Sequence, residues 1–203
     1  SSGMSVHTIV DRNGLEFSAG DKCIINQAIP EQWHEAVEYA ALAGLEHRRD
    51  PMLQSVFELI KTGAIDSEHM HDKWTLVREY TFSREARLAT CVWETSTNTR
   101  SLEIAVKGAP EVVIDSCHLP AAAAAKLKCT AAALQEKGFR VLAIARASYP
   151  RSALLPDRQE MFERTFVGLI AFLNPLRPSA APVISTLRNA GIRIIMLTGD
   201  SPG

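Results

Sequence analysis

The fold is limited most by a strand that runs into a helix through a Lys-Gly corner. Residues 102–106 alternate apolar and polar side chains, the period-2 pattern of a strand with one buried face. Lys107 then leaves the strand on the opposite face, and Gly108 lacks the Cβ that would keep a flat ligand from the backbone. Pro110 and Glu111 suit the first turn of a helix. The corner suits a nucleotide, and the alternative interpretation is an ordinary solvated turn.

Other periodic segments predict a sheet of antiparallel strands with helices around it. Asn13-Gly14 favours a tight hairpin between the first two strands. Asp50 and Pro51 form the cap and first position of a helix. The predicted strands are residues 4–10, 15–17, 74–82, 88–94, 102–106 and 140–145, and the predicted helices are residues 31–43, 52–61 and 120–137.

From residue 165 onward the pattern changes. Residues 165–172 are almost continuously apolar, as in a strand covered on both faces of a parallel sheet. A helix is predicted at residues 179–189 and a second buried strand at residues 192–196. The polar residues that follow lie just past a strand's C-terminal edge, where α/β folds bind ligands.

We therefore predict an α/β fold in two parts. Residues 4–164 form an antiparallel sheet flanked by helices, and residues 165–203 form a partial doubly wound βαβ unit. Residues 1–3, Ser-Ser-Gly, are interpreted as an expression scar.

Charge and cysteine content limit the partners. Lys and Arg number 22 against 23 for Asp and Glu, so the chain has no general attraction to nucleic acid, and binding must be local. No apolar run reaches the roughly 18 to 20 residues that cross a bilayer. The four cysteines show no Cys-x-x-Cys pairing, which favours reduced thiols in a cytosolic environment over a disulfide or zinc site. His69 and His71 are interpreted as a solvated loop, with metal chelation as the alternative.

Five blocks resemble, in order, signature segments of the nucleotide-binding domain and adjoining phosphorylation domain of P-type cation-transporting ATPases. Their number and order argue against a chance match. The blocks are Thr81-Phe-Ser-Arg-Glu-Ala-Arg87, Lys107-Gly-Ala-Pro-Glu111, Gly138-Phe-Arg-Val-Leu-Ala143, Asn174-Pro-Leu-Arg-Pro178 and Gly191-Ile-Arg-Ile-Ile-Met-Leu-Thr-Gly-Asp200.

The resemblance implies a nucleotide site. Phe82 matches a phenylalanine that stacks on adenine, with an ordinary core ring as the alternative. Arg140 matches a phosphate-contacting arginine, with a surface arginine as the alternative. Asp50 matches an acidic residue near the adenosine, although a pure capping role explains it equally well. The implied nucleotide-binding residues are Asp50, Phe82, Arg84, Arg87, Lys107, Gly108, Ala109, Arg140 and Arg177.

Two departures from the family pattern matter. Arg87 stands where the family usually has lysine, which keeps the sign of the charge and changes its geometry. Asn174 stands where an aspartate normally begins its block, which puts an electrostatic role there in doubt. Thr198, Gly199 and Asp200 match the loop that handles the phosphoryl group, and they are the catalytic residues that the resemblance implies.

The function implied by the resemblance is that of an ATP-driven cation pump. The parent protein transfers the γ-phosphoryl group of ATP, with Mg²⁺, to an aspartate that the family pattern places upstream of residue 4. Asp21-Lys22-Cys23 resembles that motif only in its first two residues. The chain is therefore expected to bind ATP without hydrolysing it.

The partners implied are the remaining phosphorylation, actuator and transmembrane domains of the parent. The chain is then a cytoplasmic domain of an integral protein of the plasma (inner) membrane. Two rivals remain: a stand-alone nucleotide-binding regulatory domain, and a soluble phosphohydrolase, which needs its own nucleophilic aspartate early in the chain.

Overall fold

One antiparallel sheet forms the centre of the molecule. The computed structural model describes residues 3–18, 24, 28–44, 50–65, 74–96, 98–174 and 179–195. The strands are β1 (Ser5–Asp11), β2 (Glu16–Ser18), β3 (Thr75–Tyr80), β4 (Leu88–Glu94), β5 (Ser101–Gly108), β6 (Arg140–Pro150) and β7 (Thr165–Leu173). Their order across the sheet is β2-β1-β7-β6-β5-β4-β3, and every neighbouring pair is antiparallel. The predicted antiparallel sheet flanked by helices is confirmed.

Helices cover both faces of the sheet and create two hydrophobic cores. The helices are α1 (His34–Leu42), α2 (Pro51–Lys61), α3 (Pro110–Ser116), α4 (Ala121–Glu136) and α5 (Ala180–Asn189), and short 3-10 turns occur at Glu31–Trp33 and Gln159–Met161. Val37 of α1 and Val56 of α2 pack with Ile144 on one face. On the other face, Val113 of α3 and Leu127 of α4 pack in a second core. A strand residue therefore belongs to one core or the other according to its parity.

Local sequence signals explain the ends of several elements. Gly14 has a φ of 77°, which a residue without Cβ adopts without strain, and it closes the predicted β1-β2 hairpin. The Asp50 side chain accepts a hydrogen bond of 2.9 Å from Met52 N, with Pro51 at the first position of α2. The predicted hairpin and the predicted cap are both confirmed.

Strand β7 corrects the prediction of a parallel sheet. It lies between β1 and β6 and is antiparallel to both, with Ile170 opposite Ile9 and Leu142. Its apolar sequence reflects burial on both faces in the middle of the sheet, and such burial does not distinguish parallel from antiparallel pairing. Residue 165 is therefore not the start of a separate sheet, and the proposed boundary after residue 164 divides one sheet.

The described residues beyond β7 contribute little to this core. Helix α5 forms where predicted, but it has no buried residue. Residues 192–195 have no strand structure, against the prediction of a second buried strand, and residue 196 lies outside the described residues. A strand at these positions would need a neighbouring strand for its backbone hydrogen bonds, and none of the described strands pairs with residues 192–195. Within the described residues, no helix is long and apolar enough to cross a bilayer.

The position of β7 predicts where the chain can be shortened. A chain ending at residue 174 should keep its sheet, because α5 buries nothing. A chain ending at residue 164 should lose cooperative folding, because β1 would lose the partner that joins it to β6. Circular dichroism and thermal melts check both. A folded 1–164 chain would contradict the central place of β7.

Candidate functional site

Two of the resembling blocks meet at one end of the sheet. Arg87 N donates to Ser83 O at 2.8 Å, and Ala86 N donates to the Ser83 hydroxyl at 3.0 Å, which closes a turn just before β4. Ala109 N then donates to Arg87 O at 3.0 Å. The turn over residues 83–87 is thus hydrogen-bonded to the corner between β5 and α3. We call this arrangement, residues 82–87 with residues 107–111, the docked corner.

Gly108 is needed for this contact. A Cβ at position 108 would lie 2.6 Å from Arg87 O and 2.7 Å from the Leu88 Cβ, distances that real Cβ atoms essentially never show. The missing Cβ therefore lets one segment of the chain approach another, and contact of Gly108 with a ligand stays a prediction. Gly108 is also buried, so the alternative of a solvated turn is wrong.

Lys107 projects toward the face covered by α1 and α2. Its Cα partners across the sheet are Ala89 and Ile144, and Ile144 belongs to the core beneath these helices. Residues paired across neighbouring strands point to the same face. The Lys107 side chain is only 12% exposed. Its face is therefore not the open polar face that the alternation predicts.

Burial lowers the pKa of the Lys107 ammonium, because the charged form loses solvation. Negative charge on Asp50 and Glu79 acts in the opposite direction. Asp50 has the largest of these opposing effects, and its Oδ2 lies 4.0 Å from Lys107 Nζ. The carboxylate thus favours a charged Lys107 in a site that disfavours charge.

Asp50 has two contacts, one through each oxygen. Oδ1 caps α2 by accepting from Met52 N, and Oδ2 faces Lys107. The cap is therefore confirmed, but the role of Asp50 is not one of capping alone, and contact with a ligand stays a prediction. The second contact ties the start of α2 to β5.

Phe82 and Arg84 lie at the open side of the docked corner. Phe82 is 62% exposed, so the alternative of an ordinary core ring is wrong. Arg84 is exposed within the turn, and no ion pair joins it to another described residue. An exposed ring beside an exposed guanidinium offers a stacking face next to a positive charge.

Arg87 is fixed in an unusual backbone conformation and paired with an acid. Its φ of 51° lies in the left-handed region, which few residues with a Cβ adopt. Its Nη1 lies 2.7 Å from Oε1 of Glu111 on α3. The sequence suggested Glu111 only as a favourable charge at a helix start, so its contact with Arg87 was missed. No local pattern signals a pair separated by 24 residues.

Arg140 lies on the same face but at some distance. It begins β6, pairs with Phe172, and is exposed. Four residues separate it from Ile144, so its Cα lies about 13 Å along the strand from the level of Lys107. A long ligand is needed to reach both cations.

Other predicted site residues lie outside the described residues. These are Arg177 of the fourth block and Thr198, Gly199 and Asp200 of the phosphoryl-handling loop. Asn174 is described and exposed, at the end of β7. His69, His71 and Asp21-Lys22-Cys23 also fall outside the described parts.

The candidate surface is exposed at Phe82, Arg84 and Arg87 and is separate from a cavity beside α2. That cavity, of about 300 Å³, lies between α2 and the start of β1, and its walls include Ser5, Ser55, Glu58 and Thr62. The docked corner instead forms the exposed end of the sheet. It contains Arg84, Arg87 and Lys107 together with Glu85 and Glu111, and Asp50 faces Lys107, so three cations and three carboxylates lie in or beside the corner. This arrangement suits a flat ring that carries an anionic tail.

Comparison with a family model supports the resemblance. Residues 31–179 match the model described as P-type ATPase, cytoplasmic domain N, which covers more than half of the chain. The match includes α1 to α4 and β3 to β7, and therefore all of the docked corner.

Three curated relatives agree with this match. The chain is 29% identical over 155 residues, 71% of its length, to "Probable cation-transporting ATPase I" of Mycobacterium leprae (strain TN). It is 35% identical over 105 residues, 49% of its length, to "Polyamine-transporting ATPase 13A2" of Mus musculus. It is 30% identical over 139 residues, 64% of its length, to "Vacuolar cation-transporting ATPase YPK9" of Saccharomyces cerevisiae. The matched region spans only 9% to 10% of the length of these relatives.

The Asp50 contact predicts a pH-dependent loss of stability in the Asp50→Asn variant. Asn caps a helix as well as Asp does, so the substitution removes charge and keeps the cap. At pH 7 the variant should unfold about 0.5 to 1 kcal/mol more easily, because a charged Lys107 has lost its partner. The difference should vanish as the pH rises through the pKa of Lys107, since a neutral amine gains nothing from Asp50.

Urea unfolding of both proteins between pH 6 and pH 10.5, with NMR titration of the Lys107 side chain, measures this effect. The pKa of Lys107 should be lower in the variant. A stability difference that does not change over this pH range would show that the charge of Asp50 does not act through Lys107.

Proposed function

The chain belongs to the P-type ATPase family, whose cytoplasmic domain N matches residues 31–179, and we propose that its docked corner binds ATP. The observation that carries the proposal is the hydrogen bond from Ala109 N to Arg87 O. It joins the segment that carries Phe82, Arg84 and Arg87 to the corner that follows Lys107, although 20 residues or more separate them in sequence.

We propose that Phe82 stacks on the adenine base. Its exposure leaves a free aromatic face, and the neighbouring turn fixes its backbone. Base stacking on an aromatic side chain is worth roughly 1 to 3 kcal/mol. Asp50 and Lys107 then lie near the adenosine end, where their ion pair gives a donor and an acceptor for a polar base or sugar.

The phosphate tail is assigned to the arginines. Arginine binds phosphate bidentately and stays charged at any working pH, and Arg84 and Arg87 are both exposed. Arg140 lies farther along the same face, so it suits the distal part of an extended tail. Gly108 and Ala109 support the site through the backbone, and Arg177 is proposed as a further phosphate contact.

In the parent protein the proposed role is that of an ATP-driven cation pump. ATP held at the docked corner would be presented to an aspartate of the phosphorylation domain, and transport would follow from the phosphorylated state. Thr198, Gly199 and Asp200 are proposed to handle the phosphoryl group. The cargo is proposed no more finely than a cation.

The domain boundary is proposed to lie after β7. The strand is integral to the sheet, while α5 exposes Val183 and Ile184 on a helix that contributes nothing to either core. Residues from about 174 onward are therefore proposed as part of the phosphorylation domain. The other partners proposed are the actuator and transmembrane domains, which would make this chain a cytoplasmic part of a membrane protein.

Mg²⁺ is proposed to act in the parent rather than through the described residues of the corner. In the described part of the chain, no three His, Cys, Asp or Glu side chains are grouped to hold a metal ion. Asp50 and Glu111 both face cations and are not assigned as ligands. Mg²⁺ on the ATP phosphates would neutralise part of their charge at the moment of transfer.

The stand-alone regulatory domain and the soluble phosphohydrolase remain as alternatives. The first would use the same docked corner without a pump. The second needs a nucleophilic aspartate that follows a strand early in the chain. Asp11 ends β1, but both of its carboxylate oxygens accept hydrogen bonds within the hairpin turn, from Asn13 and Leu15. It is therefore a structural residue.

The stacking proposal predicts the effect of Phe82→Ala. The variant should bind adenosine and ATP about 5- to 150-fold more weakly, the loss of one stacking contact of roughly 1 to 3 kcal/mol. Calorimetric titration measures both ligands, and Leu154→Ala, at a side chain 93% exposed, is the matched control. A loss confined to ATP would show that Phe82 does not touch the base.

A second prediction concerns turnover. The purified chain should bind ATP with little dependence on Mg²⁺ and should neither release phosphate nor acquire a covalent label from γ-labelled ATP. The physical reason is that the proposed contacts are a ring and cations, which hold a nucleotide without supplying a nucleophile. Released phosphate or acid-stable label above the level of a Lys107→Met variant would contradict this proposal.

A further inference from the structure

The pair of Arg87 and Glu111 has a geometry that the proposed ATP site does not require. Nη1 and Oε1 are 2.7 Å apart, and the two side chains are 51% and 48% exposed. Both backbones are fixed at the docked corner, Arg87 through Ser83 and Ala109, and Glu111 in the first turn of α3. The ion pair therefore bridges the two segments at the surface that a phosphate tail would approach.

A carboxylate and a phosphate compete for the same guanidinium. Both accept the parallel N–H groups of arginine, so an arginine that is paired with one presents fewer donors to the other. An exposed ion pair is weak and exchanges readily, because water competes for both partners. The ion pair with Glu111 thus holds Arg87 in the absence of ligand, and it is weak enough to break when a phosphate binds Arg87.

We propose that Glu111 is a specificity-determining residue that restrains the binding of the phosphate tail. It holds Arg87 in the nucleotide-free protein and gives it up when phosphate arrives. Every phosphorylated ligand that engages Arg87 loses the free energy of this pair, whereas adenosine does not. The inference rests on the proposed function, since it assigns a role to an acid within the proposed ATP site.

The position of Glu111 in its helix explains an acid there but not this contact. A negative charge in the first turn of α3 interacts favourably with the helix dipole. That role affects stability alone and does not depend on Arg87. The two roles are separable because one changes the free energy of unfolding and the other changes affinity for phosphorylated ligands.

The test is Glu111→Gln, with ATP and adenosine titrated separately by calorimetry. The variant should bind ATP about 1.4- to 5-fold more tightly, from the range of exposed ion pairs, and its affinity for adenosine should be unchanged. Asp115→Asn is the matched control. Asp115 lies on the same helix and forms an exposed ion pair with Lys128 at 2.6 Å. Its substitution therefore removes the same charge as Glu111→Gln, but outside the docked corner.

A double-mutant cycle separates release of Arg87 from general electrostatics. In an Arg87→Gln background, Glu111→Gln should no longer tighten ATP binding. If the gain persists there, or if Asp115→Asn gives the same gain, the effect is a general one of charge and the inference is overturned. Weaker or unchanged ATP binding by the single variant also overturns it, since Glu111 would then orient Arg87 or have no role.

The wild-type titrations distinguish the role of Glu111 from the proposal that the docked corner binds ATP. A wild-type chain that binds neither ATP nor adenosine would overturn the proposed function and this inference together. A wild-type chain that binds both, with no change in the Glu111→Gln variant, would overturn the inference alone. Thermal melts of each variant confirm that affinities are compared between folded proteins.

Discussion

The close approach of two chain segments at Gly108 is the constraint on which the candidate site depends. Ala109 N bonds to Arg87 O, and no side chain fits between the strands at this point. The contact fixes the turn before β4 against the start of α3, so residues far apart in sequence share one surface. A Cβ at position 108 would move the Arg87 backbone, and with it the arginine and the ring at Phe82.

Paired charges give this surface its chemical character. Lys107 is largely buried and faces Asp50, while the exposed Arg87 faces Glu111. Burial lowers the pKa of the lysine and the aspartate opposes this effect in part, so the pair favours a cation in a partly desolvated place. The arginine pair lies in water and exchanges easily. The nucleotide would thus meet one fixed cation and one that can change partners.

Local features of the sequence were sufficient for much of the fold. The hairpin at Gly14, the Asp50 cap and the existence of strand β5 all depend on residues close in sequence, and each was predicted correctly. The alternation in β5 predicted a single buried face, whereas helices cover both faces of that strand. The position of β7 was not predicted correctly. A strand that is buried on both faces has a continuous apolar sequence in a parallel sheet and in an antiparallel sheet alike. The prediction of a strand at residues 192–196 is also wrong for residues 192–195, with which none of the described strands pairs. The ion pair between Arg87 and Glu111 could not be predicted from the sequence for another reason. It depends on how two segments that are far apart in sequence pack against each other.

The central claim is that one surface, the docked corner with Asp50, receives the nucleotide. Amide chemical shifts recorded during titration with ATP test it most directly. The account predicts that the largest changes fall at residues 82–87 and 107–111 and at Asp50, with smaller ones at Arg140. Changes concentrated instead at Ser5, Ser55 and Thr62, around the cavity beside α2, would place the ligand elsewhere and contradict the account.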